Sequence, residues 1–165
     1  MNHRLTTLVL CAATASLLAA CGGGSDDQPT SSPFNSLITV TSATTANQNG
    51  IYGSTAVGLT DVEKTIELGT QSCTFAFNNL SKAGDSSIPM SGKVAYLEGA
   101  NIINRLEVSV NGIVYASGAV DGSTIDRENN AVRFSGKTLA STASDTNTIV
   151  VTGSVPMRPG RPSGC

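Results

Sequence analysis

The chain has 165 residues, with 12 Asp and Glu against 10 Lys and Arg and a single histidine, for a net charge of −2. It carries no basic run or cluster, which argues against nucleic acid as a partner, since phosphate binding needs grouped Lys and Arg. Aromatic residues make up 4% and tryptophan is absent, leaving little material for the stacking platforms of sugar and single-strand binders.

The first segment has the layout of a secretory signal peptide. Arg4 supplies its positive charge, 5–18 is a mostly apolar run, and small residues follow. A permanent helix across a bilayer core of about 30 Å needs about 20 apolar residues, and this run is shorter and interrupted by Thr and Ser. Residues 1–20 are therefore expected to be removed. A tether is expected at 21–35, where Gly, Ser, Pro and Asp dominate and too little apolar surface exists to offset ordering entropy.

Leu18-Ala19-Ala20-Cys21 resembles the lipobox of bacterial lipoproteins. The resemblance covers these four residues and the Gly/Ser/Asp tether behind them, and no family is identified for the rest. It implies that Cys21 is lipidated and is the first mature residue. It also implies, because Gly22 and not Asp follows, an outer-membrane location facing the periplasm or the cell surface. Several acyl chains would make the anchor stable, as one chain holds only reversibly.

Loss of the leader removes His3, so Ser-His-Asp catalysis, imidazole general-base chemistry and histidine metal sites are excluded from the mature chain. Cys11 goes with the leader and Cys21 is assigned to lipid, which leaves Cys73 and Cys165. In an oxidising envelope compartment a disulfide between them is expected, with an intermolecular bridge through Cys165 as the alternative.

Residues 36–165 read as one all-β domain, of a size for a single core. Period-two patterns recur and helical ones do not. Strands are expected at 36–40 and 51–59, separated by the polar turn Asn47-Gln48-Asn49-Gly50. In 62–68, Val62, Ile66 and Leu68 share one face and Glu63, Thr65 and Glu67 the other. Cys73, Phe75 and Phe77 alternate through 71–78 as core candidates. After a loop at 82–87, Met90, Val94 and Tyr96 share a face. Leu106, Val108 and Val110 then lead into Asn111-Gly112, the preferred dipeptide of a type I′ hairpin turn because both positions need positive φ. A two-residue turn there sets Val110 opposite Ile113 and Val108 opposite Tyr115. Polar loops follow at 121–130 and 139–147, around a strand led by Val132 and Phe134. Ile149, Val151 and Val155 close the set, and 156–164 is an irregular segment held by Cys165.

This pattern predicts a small antiparallel β-barrel or β-sandwich of about eight strands. Glycines inside strand patterns, at Gly53, Gly92, Gly118, Gly136 and Gly153, favour the sharp bends of a curved barrel. No catalytic motif is present, and no cofactor is expected. Glu63 and Glu67 lie about 13 Å apart along a strand at about 3.3 Å per residue, too far for a carboxylate pair, and read as edge charges. Arg105 and Glu107 read as a surface ion pair. Asp126, Glu128 and Asn130 occupy the first three ligand positions of a Ca²⁺ loop, but Ala131 stands where that loop needs Gly. The segment is read as a polar turn, with calcium as the alternative. The expected function is a non-enzymatic envelope lipoprotein presenting its domain to an envelope protein partner. The alternative is a small-ligand or lipid carrier using a barrel interior.

Overall fold

A computed structural model describes residues 36–165. The expectations for the leader, for lipidation at Cys21 and for the tether lie outside these residues. Eleven strands run in order: β1 (Ser36–Ala43), β2 (Gly50–Ser54), β3 (Gly58–Leu59), β4 (Glu63–Glu67), β5 (Thr70–Lys82), β6 (Asp85–Leu97), β7 (Ile103–Val110), β8 (Ile113–Ser117), β9 (Ser123–Asp126), β10 (Ala131–Ser141) and β11 (Ser144–Pro156). Every pairing is antiparallel.

The hydrogen-bonded order closes on itself, β11-β1-β2-β5-β6-β7-β8-β10 and back to β11. Eight staves therefore form the ring, as the sequence pattern predicts. Two of its seams are thin. β2 meets β5 through two residue pairs, Tyr52 with Lys82 and Gly53 with Ser81. β8 meets β10 through Ala140 with Ala116 and Ser141 with Tyr115. The fold is thus two four-stranded sheets, β2-β1-β11-β10 and β5-β6-β7-β8, joined at two narrow corners. This explains why barrel and sandwich are hard to separate from sequence.

Beyond each corner a short strand continues the neighbour's course. β4 pairs with the first part of β5 and β3 with Phe77 and Asn78 further along it, and β9 pairs with the first part of β10. The expected strand 51–59 is broken into β2 and β3, and the expected loop 121–130 contains β9. The expected loops 82–87 and 139–147 shrink to tight turns, because β5, β6, β10 and β11 run almost to their hairpin tips.

Inward positions fill the interior. Phe75 and Phe77 from β5, Met90, Val94 and Tyr96 from β6, and Leu106, Val108 and Val110 from β7 are all buried. Val132 and Phe134 from β10 and Ile149, Val151 and Val155 from β11 join the same cluster. The β7–β8 hairpin has the predicted register, Val110 opposite Ile113 and Val108 opposite Tyr115. Gly92 is needed where it stands, because an added Cβ would collide with the Glu107 carbonyl and with the ring of its cross-strand partner Phe77. Gly136, at φ +65°, marks the bulge between Phe134 and Lys137. One apolar face departs from expectation. Val62 is buried, but Ile66 and Leu68 are exposed, because β4 extends past the corner and has no sheet opposite that side.

Candidate functional site

The two ends of the barrel are closed by different devices. At one end the β1–β2 connection makes a 3₁₀ turn, Ala46–Gln48, which carries Gln48 into the interior with 1% of its surface exposed. Its amide nitrogen donates to the Val110 carbonyl at 3.2 Å, and its side-chain oxygen accepts from the Tyr115 hydroxyl at 2.6 Å. Its backbone carbonyl accepts from the Tyr52 hydroxyl at 2.8 Å. Burial, with Tyr115 and Asp85 nearby, pushes the Tyr52 hydroxyl up to about 12. A residue read as part of a polar turn is therefore the stopper of this end.

The other end is closed by 157–165. Met157 is buried in the core cluster, and its N–H donates to the Asn130 carbonyl at 2.7 Å. Cys165 is joined to Cys73 by the expected intramolecular disulfide, with Cα atoms 5.6 Å apart. The Cys165 main-chain oxygen accepts from the Tyr96 hydroxyl at 2.9 Å and from Arg127 Nε at 3.1 Å. Arg127 also donates to the Ala100 carbonyl at 2.6 Å and to Asn101 Oδ1, and its guanidinium lies 5.5 Å from the Tyr96 ring centre. Burial pushes the Tyr96 hydroxyl up as well.

Lys137 is the one lysine that burial removes from solvent among the described residues, with 1% of its surface exposed. Its ammonium donates to the carbonyls of Ala119 and of Asp121, the latter at 2.8 Å, and so pins the β8–β9 connection. Desolvation lowers its pKa, against an opposing pull from Asp121, whose carboxylate is 3.9 Å away. A buried, pKa-lowered lysine is the residue type that nucleophilic catalysis uses. Here its hydrogen-bond donors are directed at main-chain oxygens and hold two strands in place.

Of the residues singled out for calcium, Asp126 and Glu128 line an open recess of about 520 Å³ beside β9, and Asn130 does not. Asp126 accepts from the backbone N–H and side-chain amide of Asn129 and from Arg133, whose Nη2 is 2.8 Å away. These bonds hold its carboxyl down at about 2. Asn130 Oδ1 accepts from Arg161, and Glu128 is exposed. Asp126 and Asn130 are thus engaged by cations and amides of the protein itself, while Glu128 faces solvent. Among the described residues no group of three or more His, Cys, Asp or Glu gathers as a metal site would. Glu67 pairs with Lys93, and Arg105 with Glu107 at 2.5 Å, as surface charge pairs.

No protein family matches this chain. No curated protein and no solved structure is similar enough to count as a relative. Function has to be read from the residues alone. The features that period-two patterning misses are Gln48, Arg127 and Lys137, each of which acts through main-chain oxygens far away in sequence. The sequence signals available for them were a Gln before Asn-Gly, an Arg beside Asp and a Lys after Gly, none of which points to burial.

Proposed function

We propose that this chain is an envelope lipoprotein, anchored through Cys21 in the outer membrane, whose β domain is a non-enzymatic interaction or structural module. The anchor rests on the lipobox-like Leu18-Ala19-Ala20-Cys21 and the tether behind it. The observation that carries the domain reading is the occupied interior. Inward side chains from both sheets pack against each other, Gln48 stoppers one end and 157–165 the other. A carrier of a small ligand or lipid needs an interior space of a few hundred Å³, and an enzyme of this size needs converging polar groups in a recess. The buried polar groups described above are instead bonded to main chain and to each other. What the domain offers outward is its surface: the β4 edge, the hairpin tips and the recess beside β9.

Native mass spectrometry of the full chain, extracted from the envelope without reductant, tests this reading together with crosslinking in intact cells. A mass with the two-hydrogen loss of one disulfide, no small-molecule adduct and a stoichiometric crosslinked envelope protein is expected. A bound lipid or metabolite would replace it with the carrier reading, and turnover of an ester, peptide or glycoside panel with an enzyme.

A further inference from the structure

Among the described residues the two most exposed large apolar side chains are Ile66 and Leu68, at 76% and 65%. They stand two residues apart on the β4–β5 hairpin. Glu67 pairs with Thr70, so the turn is Leu68-Gly69, and both residues have positive φ, +52° and +76°. The β7–β8 hairpin solves the same geometry with Asn111-Gly112, at +49° and +81°. Asn and Gly suit those positions, whereas a branched apolar residue there is an outlier. Leu68 gains neither burial nor turn preference from where it sits, and such local misfits concentrate at functional positions.

The surroundings extend the apolar tip. A Cβ on Gly118 would stand 3.7 Å from Leu68 Cδ1, so Leu68 reaches the β8–β9 connection, where Val120 is 59% exposed. The charges on either side are neutralised within the domain, Glu67 by Lys93 and Lys64 by Glu98. The hairpin part of the tip therefore has its nearest charges paired, and the exposed carboxylate of Asp121 stands beside Val120 at the edge of the apolar surface.

We infer that the Leu68 tip is a lipid contact, with Ile66 and Leu68 entering the bilayer interface and fixing the orientation of the anchored domain. This rests on the anchoring of Cys21 proposed above. Fourteen residues, 22–35, separate that cysteine from β1. A Gly/Ser-rich chain of that length has a root-mean-square span of about 20 Å, with a limit of about 45 Å when extended. The extended limit is comparable with the length of the domain's own 13-residue strands, about 43 Å at about 3.3 Å per residue. A tether of that contour length does not bar the tip from the bilayer, and tethering turns each meeting into an intramolecular event. Two apolar side chains, too few to bind a free protein to membranes, suffice under that condition.

The absence of tryptophan provides the test. The lipidated full chain carrying Leu68→Trp is reconstituted in phosphatidylethanolamine/phosphatidylglycerol vesicles with and without brominated acyl chains. Val114→Trp, on the exposed start of β8, is the control, and Ile66→Trp repeats the measurement should the turn substitution disturb folding. Emission from position 68 is expected to be quenched at least about twofold while position 114 is unaffected, as for a side chain at the acyl boundary. Equal, weak quenching at both positions would overturn the lipid contact, whether the tip then proves to meet a protein or a second copy. Cys21→Ala separates the two readings. Release of that variant from membranes with no quenching at 68 in the anchored chain leaves the anchor and removes the contact. A Cys21→Ala chain that stays membrane-bound removes the anchor itself.

Discussion

Cys165 is gripped by two residues that face each other across β5 and β6. Cys73 and Tyr96 are register partners; the first bonds the Cys165 sulfur and the second donates to its main-chain oxygen at 2.9 Å. The covalent and the hydrogen-bonded hold on 157–165 therefore converge on one residue. In the chain-entropy treatment, a bridge of sequence separation 92 contributes about 4 to 5 kcal/mol. Reduction, or Cys73→Ala with Cys165→Ala, is expected to lower the unfolding free energy in urea by about 3 to 5 kcal/mol. Tyr96→Phe is expected to lower it by about 1 to 2 kcal/mol, since Arg127 still satisfies the oxygen. An unchanged urea midpoint on reduction would mean that the segment is held without the disulfide.

The opposite end depends on Gln48. Replacing it with Ala leaves the Tyr115 hydroxyl and the Val110 carbonyl without their Gln48 partner in a buried setting. Each such loss costs about 1 to 3 kcal/mol. We expect Gln48→Ala to destabilise the domain by about 2 to 4 kcal/mol. Amide exchange should accelerate around 44–50 and 110–115, and exchange changes spread evenly over the domain would contradict a local stopper.

Tyr52 gives the fold an alkaline limit. Below pH 10 both folded and unfolded states hold its proton. Between about 10 and about 12 the unfolded state releases it and the folded state retains it, so stability falls as pH rises. Two pKa units correspond to about 2 to 3 kcal/mol, and Tyr96, raised in the same direction, adds to the loss. Urea unfolding at pH 9 and pH 11.5 should show this decline, and Tyr52→Phe should make it shallower. A slope unaltered by Tyr52→Phe would locate the alkaline limit elsewhere.

How much of this was legible follows from the range over which each residue acts. The β7–β8 hairpin could be read to the residue, because Asn111-Gly112 and the alternation around it are local and agree with each other. The Cys73–Cys165 bridge could be read because two other cysteines had assignments of their own. Gln48, Arg127 and Lys137 could not, since their partners at Val110, Cys165 and Ala119 are brought near only by closure of the ring. Period two tells which residues share a face, not whether a sheet stands opposite. Val62, Ile66 and Leu68 form one apolar set in sequence, and the course of the chain beyond the β2–β5 corner leaves just the first of them inside. The exposed tip was therefore hidden in a pattern that reads as core.

That misfit carries its own stability prediction. A non-Gly residue in the left-handed region costs roughly 1 to 2 kcal/mol, and Asn tolerates it far better than a branched apolar side chain. Leu68 is mostly exposed, so its removal sacrifices little burial. Leu68→Asn is expected to raise the urea midpoint, with a gain of about 0.5 to 1 kcal/mol, by giving this turn the chemistry that Asn111 gives the other. Asn111→Leu should do the reverse by a similar amount. The pair separates strain from context: equal and opposite shifts would show that Leu68 is held at a cost to the fold. A Leu68→Asn chain less stable than the parent would instead show that Leu68 supports the β8–β9 connection through its contact at Gly118, and that the tip is structural.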